Sequence, residues 1–266
     1  MIKNISKKIK KVLFNLKFIF AVHAVIAVAV SGFLAFNYLF GFGILENAHL
    51  SYLRYLMRNT VVIQNAAGAG GTGWVTSGTK SGDTVILTNG HVCGLAENGT
   101  VHVHYRDGDY ILKVIAVYPK HDLCAIEAPQ GATGGYNIAS SFVNGESVYT
   151  LGHPLLEPNS ITKGELSGTQ TTQIIVGYDM VCEGEGYTRY NAAQVNPLLE
   201  VFGIRTVCVR SLSSQASTII ILPGNSGSCT VNIYGSVVAV AYAANESGTR
   251  SYHVPLQDLK DFLELL

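Results

Sequence analysis

The sequence predicts an all-β fold with a C-terminal helix, preceded by an apolar N-terminal helix. From Val61 onward, short runs of β-branched and aromatic residues are divided by turns rich in Gly, Asn, Asp and Ser, a pattern typical of barrels and sandwiches. The 206 residues from Val61 to Leu266 are enough for two six-stranded barrels. The last segment has apolar residues at positions 256, 259, 262, 263 and 266, the spacing of one helix face.

The N-terminal region predicts a single transmembrane helix. Residues 18–45 contain no charged side chain, and roughly 20 apolar residues in a helix are enough to cross a bilayer. Residues 1–17 carry six lysines and no acidic residue, so the positive-inside tendency places this tail in the cytoplasm and the rest of the chain in the periplasm or outside the cell. The alternative is a signal peptide cleaved near Ala27-Val28-Ala29, although apolar residues continue well beyond that point.

Residues 46–60 are expected to form a short helical stem, and residues 61–266 the folded domain. After Leu45 the chain has 12 basic and 18 acidic residues, so the exported part carries a net charge of −6. Proteins that bind nucleic acids usually present a basic face, so this balance argues against a nucleic-acid partner. The sequence leaves the oligomeric state open.

Three segments contain candidate catalytic residues. The segment from Leu222 to Ser228 places Ser226 between small residues on a tight turn, as expected for an exposed nucleophile. A strand that ends at Asn89 presents His91, and a second strand leads through a turn to Asp122. Each segment alone is also compatible with an ordinary turn. The order His91, Asp122, Ser226, each at a strand end, favours a catalytic triad.

These motifs resemble the chymotrypsin/trypsin-like serine peptidases, and in particular the HtrA/Deg and glutamyl-endopeptidase branch. The resemblance extends from about Val61 to the C-terminus, and it implies a two-barrel chymotrypsin-like fold. Because the chain ends with this domain, we expect no PDZ domain. The matching segments are Thr88–Val92, Asp122–Ala125, Leu151–Pro154, Pro223–Gly227 and Val254-Pro255 before the final helix.

The resemblance also implies a role for each candidate residue. Ser226 would be the nucleophile, His91 the general base and then the general acid, and Asp122 the group that holds the imidazole in the correct tautomer. The backbone N–H groups of Gly224 and Ser226 would form the oxyanion hole. Asn225 stands where animal trypsins have the Asp that pairs with a newly cut N-terminus, so we expect no activation by that ion pair.

Substrate specificity is expected to depend on the strand that contains Ala241, Tyr242, Ala243 and Ala244. By resemblance, this strand pairs with the substrate backbone through β-augmentation and forms one wall of the primary pocket. The methyl groups of Ala243 and Ala244 would narrow that pocket and favour a small or medium apolar side chain. The alternative is that His253 faces the pocket and favours an acidic side chain.

The five cysteines do not indicate a disulfide-dense scaffold. Cys93, Cys124 and Cys229 each follow a proposed triad residue by two or three positions and are predicted to be small buried core residues. Cys182 and Cys208 lie within residues 168–213, a stretch that exceeds the family pattern, and they can pair in an oxidising compartment. In this stretch residues 184–186 and Asn191–Pro197 are interpreted as loop, and Gln173–Val176 and Thr206–Val209 as short strands. No metal site and no cofactor are expected.

The function predicted from the sequence is a membrane-anchored serine endopeptidase that hydrolyses peptide bonds of proteins or peptides through an acyl-enzyme. One alternative is a catalytically silent module with the same fold that binds a partner at the membrane. Another is a peptidase released from its anchor by cleavage within residues 46–60.

Overall fold

The computed structural model describes most of the chain after residue 41 and a few residues before it. The described residues are 23, 25–32, 36, 38, 42–65, 69–94, 96, 98–157, 160–179, 182, 186–245 and 247–266. The predicted cytoplasmic tail, and much of the predicted transmembrane segment 18–45, lie outside them. Within the described part of the chain, no helix combines the length and the apolar character needed to span a bilayer.

The chain divides into two compact units, Met1–Tyr52 and Leu53–Leu266. In the first unit residues 25–32 are helical, and helix α1 extends from Phe42 to Leu56 across the boundary. The second unit begins within the predicted stem because Leu53, Leu56 and Met57 are buried in its hydrophobic core. A 3₁₀ turn, Met57–Asn59, then leads into the first strand.

Six antiparallel strands form a closed barrel in the first half of this unit, in the order β1-β2-β3-β6-β5-β4. Its interior is filled by branched aliphatic side chains, including Val61, Ile63, Val75, Ile86 and Ile126. The strands are β1 Thr60–Gln64, β2 Gly70–Thr76, β3 Val85–Asn89, β4 Thr100–Tyr105, β5 Gly108–Tyr118 and β6 Leu123–Glu127.

Seven strands form the second sheet, in the order β13-β12-β11-β7-β8-β10-β9. Gln215 to Ser217 of β10 also pair with β13, which closes six of these strands into a ring and leaves β9 at the outer edge. The strands are β7 Ser147–Gly152, β8 Ser160–Tyr178, β9 Tyr187–Asn191, β10 Thr206–Ser217, β11 Cys229–Val231, β12 Val237–Ala244 and β13 Ser251–Pro255.

The remaining helices are short, and the last one confirms the predicted C-terminal helix. Helix α5, Leu256–Leu263, buries Leu256, Leu259, Phe262 and Leu263 against the barrels, so the apolar spacing in the sequence defines its buried face. The others are α2 Gly90–Cys93, α3 Ala192–Val195 and α4 Leu198–Val201.

The described residues of the segment 168–213 form largely a β ribbon. The predicted short strands 173–176 and 206–209 are parts of longer strands, whereas Asn191–Pro197, predicted as loop, contains helix α3. The outer parts of β8 and β10 pair from Thr169↔Gln215 to Tyr178↔Val207, and β9 pairs with β10 from Tyr187↔Arg210 to Asn191↔Thr206. We call residues 169–178, 187–191 and 206–215 the β ribbon. The strand β9 was missed because its polar and exposed side chains lack the apolar alternation of a half-buried strand.

The cysteines form two disulfide bonds. Cys182 pairs with Cys208, as the sequence allowed. Cys93 and Cys124 are buried, but they are bonded to each other, which corrects their interpretation as independent core residues. Cys229 is free and buried. The Cys93–Cys124 pair was overlooked because 31 residues separate the two, and only the barrel pairing of β3 with β6 brings them together.

Candidate active site

His91 lies at the end of a fully buried strand. All five residues of β3 are buried, and the chain leaves this strand through the single helical turn α2, which carries His91. The imidazole is 47% exposed although its neighbours Val92 and Cys93 are buried. The strand therefore fixes the position of a ring that remains accessible to a substrate.

Asp122 lies beside His91 and is almost completely buried. Its Oδ2 is 2.8 Å from Nδ1 of the His91 ring, and its Oδ1 accepts the His91 backbone N–H at 2.9 Å. The side-chain amide of Asn89 donates through Nδ2 to the backbone carbonyl of Asp122 at 3.1 Å. Because an ionised carboxylate only accepts hydrogen bonds, Nδ1 carries the proton and Nε2 is left as the basic nitrogen of the neutral ring. The pair therefore has the tautomer that a general base requires.

The loop from Leu222 to Ser228 takes its shape from two glycines with left-handed backbone conformations, Gly224 with φ +93° and Gly227 with φ +87°. A Cβ at Gly227 would collide with the Thr72 carbonyl and the Thr88 hydroxyl, so this loop packs directly on β2 and β3. The Thr72 hydroxyl donates to the Gly224 carbonyl at 2.8 Å. The first barrel therefore supports the loop of the second.

These contacts bring Ser226 next to the turn that carries His91. The Thr72 amide donates to the Ser226 carbonyl at 2.8 Å. A Cβ built on Gly71 would lie 2.7 Å from both the Ser226 carbonyl oxygen and the Val92 side chain, so only glycine fits between the two segments. The Ser226 hydroxyl donates to the Tyr242 carbonyl at 3.4 Å and makes no hydrogen bond with the His91 ring. Catalytic hydrogen bonds of this kind are often long or absent before substrate binds.

Two backbone amides of the same loop donate to no acceptor among the described residues. The amides of Asn225, Gly227 and Ser228 donate to the carbonyls of Leu222, Ala241 and Asn225. No acceptor in the described part of the chain takes the amides of Gly224 and Ser226. These are the two donors predicted for the oxyanion hole.

The predicted substrate strand is β12, and it changes its environment along its length. Ala241 is fully buried and its backbone pairs with Gly227 and Ser228, whereas Ala243 is half-buried and Ala244 exposed. On the other side, Ala243 and Ala244 pair with Tyr252 and Ser251 of β13. β11 begins at Cys229 opposite Val240 and pairs with no residue beyond it. The end of β12 is thus an edge beside Ser226.

Tyr242 and His253 are buried, so neither side chain presents an open surface. Burial raises the pKa of the Tyr242 phenol. The His253 ring is 3.0 Å from the Thr230 hydroxyl at Nδ1 and 2.9 Å from the Ser251 hydroxyl at Nε2. Burial lowers the pKa of His253 to about 3. The imidazole is therefore neutral at physiological pH.

One charged neighbour of Asp122 was not found from the sequence. Arg210, in the β ribbon, is buried and places Nη1 3.8 Å from Asp122 Oδ1. No local pattern signals this contact, since Arg210 lies 88 positions from Asp122 in the chain. Only the pairing of β10 with β8 and β9 places it there.

The fold is that of a chymotrypsin-like serine peptidase. The model of the trypsin-like peptidase domain family matches residues 71–240. The chain belongs to this family and is a serine endopeptidase by class, which confirms the resemblance stated from the motifs. No curated protein has a significantly similar sequence.

Solved structures share the fold at low sequence identity. The active form of the Rv3671c protease from Mycobacterium tuberculosis is 16% identical with a TM-score of 0.58, over 79% of this chain and 81% of that one. The serine endoprotease from Yersinia pestis is 18% identical with a TM-score of 0.54, over 80% of this chain and 64% of that one. These likenesses support the chymotrypsin-like fold alone.

Proposed function

We propose that this chain is a membrane-anchored endopeptidase that hydrolyses peptide bonds through Ser226, His91 and Asp122 and an acyl-enzyme. The observation that carries the proposal is the double hydrogen bond of Asp122 to the backbone and ring of His91, with Ser226 packed on the adjoining turn. The buried carboxylate fixes the tautomer of the exposed imidazole. The imidazole is therefore oriented to act as a general base toward a hydroxyl group.

In the proposed reaction, His91 Nε2 removes the proton of the Ser226 hydroxyl while its oxygen attacks the substrate carbonyl carbon. The resulting oxyanion is bound by the amides of Gly224 and Ser226, whose hydrogens have no other acceptor in the described structure. The imidazolium, stabilised by Asp122, then protonates the leaving amine. In the second half, His91 removes a proton from a water molecule, which attacks the ester carbonyl. The Ser226 oxygen then leaves and takes the proton back from His91, and the carboxylic acid product is released.

We further propose that the substrate backbone pairs with the exposed end of β12, at Ala243 and Ala244. This edge lies beside Ser226 and lacks a partner strand there, as β-augmentation requires. The methyl groups of these alanines favour a small or medium apolar residue at the cleavage site. The neutral, buried His253 offers no positive charge to an acidic side chain, so its burial disfavours the alternative specificity.

The proposed location is outside the cytoplasm, with the tail 1–17 on the cytoplasmic side. Two disulfide bonds support an oxidising compartment, because thiols are kept reduced in the cytosol of most organisms. The uncharged run 18–45 after a lysine-rich tail supports an N-terminal anchor. Fractionation of cells, with the apparent mass of the chain in each fraction, distinguishes an intact anchor from release within residues 46–60.

A fluorophosphonate probe tests the catalytic proposal on the full chain in detergent. We expect wild type to be labelled and Ser226→Ala not to be, while Ser81→Ala, which removes an exposed hydroxyl remote from the loop, stays labelled. A folded wild type that resists the probe would favour the catalytically silent module, in keeping with the hydrogen bond from Ser226 to Tyr242. A peptide library then reads the preference at the cleavage site.

A further inference from the structure

Arg210 is a buried cation within the β ribbon. It is 5% exposed, and its cross-strand partner in β9 is Tyr187, whose ring lies 5.3 Å from the centre of the guanidinium. Nη1 is 3.8 Å from Asp122 Oδ1, whereas Nε and Nη2 have no hydrogen-bond partner in the described part of the chain. Burying a guanidinium is costly unless an opposite charge compensates it. The carboxylate of Asp122 is the charge that does so here.

We propose that Arg210 is a positioning residue for the triad, which holds the carboxylate of Asp122 and opposes protonation of His91. The inference rests on the proposed roles of Asp122 and His91. Asp122 is shared between two partners, since Oδ2 faces the imidazole and Oδ1 faces both the His91 amide and Arg210. A fixed positive charge beside the carboxylate repels a second positive charge on the imidazole, and this repulsion offsets part of the attraction that the carboxylate exerts on it.

The electrostatic interaction between Arg210 and Asp122 is strong because both side chains are buried. Asp122 and Arg210 are both nearly inaccessible to water, so their interaction is screened far less than that of a surface pair. The other ionisable groups around Asp122 do not supply such a charge. Tyr242 is a neutral phenol with its pKa raised by burial, and His121 has its Nδ1 2.9 Å from Asp258 of helix α5. Lys120, two positions before Asp122, is exposed to solvent, so Arg210 is the buried permanent cation beside the carboxylate.

The contact also joins the β ribbon to the catalytic centre. Arg210 belongs to β10, where it pairs with Ile174 of β8 on one side and Tyr187 of β9 on the other. The ring of Tyr187 covers the guanidinium from the outer strand. A change at Tyr187 is thus transmitted to Asp122 through the Arg210 side chain.

The test is an NMR titration of the His91 ring in the full chain, in a Ser226→Ala background, with the signal assigned by His91→Gln. We expect Arg210→Met to move the titration midpoint of His91 to higher pH by about one unit. Arg210→Lys keeps the charge and should move it by less than half as much. The control Arg189→Gln, which removes an exposed charge from β9, should leave it unchanged.

A midpoint that is unchanged or lower in Arg210→Met would overturn the inference, as would an equal shift in Arg189→Gln. If Arg210→Met does not fold, Tyr187→Leu replaces it, because it admits water to the guanidinium and should give a smaller shift in the same direction; no shift there would also refute the role. Since the titration needs no turnover, a wild type that fails to hydrolyse peptides would contradict the proposed function and not this result. In an active enzyme the acid limb of kcat/KM moves with the midpoint.

Discussion

The two halves of the candidate active site are built by different means. His91 and Asp122 in the first barrel are joined by side-chain hydrogen bonds and by a disulfide between residues two positions beyond each of them. The loop of Ser226 in the second barrel is held by backbone hydrogen bonds and by glycine conformations that other residues resist. The first half therefore depends on the chemical groups of its side chains, and the second on the backbone conformations that its residues can adopt. Substitutions should therefore damage the two halves differently.

The largest expected effect is a loss of catalysis without a loss of fold, from Asp122→Asn. The amide keeps the size of the side chain but can donate to Nδ1, which favours the wrong tautomer of His91, and we expect kcat to fall by about 10⁴-fold. Steady-state hydrolysis measures this, and thermal unfolding checks that the fold persists. The control is Asp107→Asn, an exposed carboxylate in the turn before β5, which should keep the wild-type rate. A rate within tenfold of wild type would remove Asp122 from the triad.

For Gly227→Ala, in the loop from Leu222 to Ser228, the expected effect is a loss of stability of the fold. The new methyl group would be forced into a left-handed conformation and into the Thr72 carbonyl, so we expect a loss of about 4 kcal/mol in the free energy of unfolding. Gly248→Ala is the matched control, because Gly248 also has positive φ but no atom within 4 Å of its Cβ. Urea unfolding compares the two. Equal losses would mean that packing against the first barrel does not shape the loop.

The same contrast explains what the sequence could predict. The residue types and order of His91, Asp122 and Ser226 are chemical signals, and the buried strands and helix α5 follow from apolar spacing. Arg210 and the Cys93–Cys124 bond depend on which strands become neighbours, and no local pattern specifies that. The strand β9 was not predicted because its polar side chains lack the apolar alternation of a half-buried strand, and pairing with β10 holds it in place.

The two disulfide bonds offer a comparison at nearly equal loop length, 31 residues for Cys93–Cys124 and 26 for Cys182–Cys208. Replacing either pair by alanines should lower the free energy of unfolding by about 3 kcal/mol, because loop-closure entropy changes slowly with length. Only the first pair ties His91 directly to Asp122, whereas the second reaches Asp122 only through Arg210 of β10, so loss of the first pair should lower kcat/KM more. Unfolding and hydrolysis measured on both double variants test this. Equal effects on kcat/KM would show that the side-chain hydrogen bonds alone fix the pair.

The smallest expected effect is the pH dependence of stability that the buried His253 causes. His253 has a folded pKa of about 3 and an unfolded pKa of roughly 6.5, so the unfolded chain binds the extra proton below pH 6.5 and stability falls as the pH decreases from there toward 3. Between pH 7 and 5 this group alone should remove about 2 kcal/mol from the free energy of unfolding. His253→Asn keeps polar atoms near Thr230 and Ser251 but does not titrate, so urea unfolding at both pH values should show a smaller difference in the variant. If wild type and variant lose the same amount, the ring is already charged or hydrated in the fold, and an acidic substrate side chain would again have a partner there.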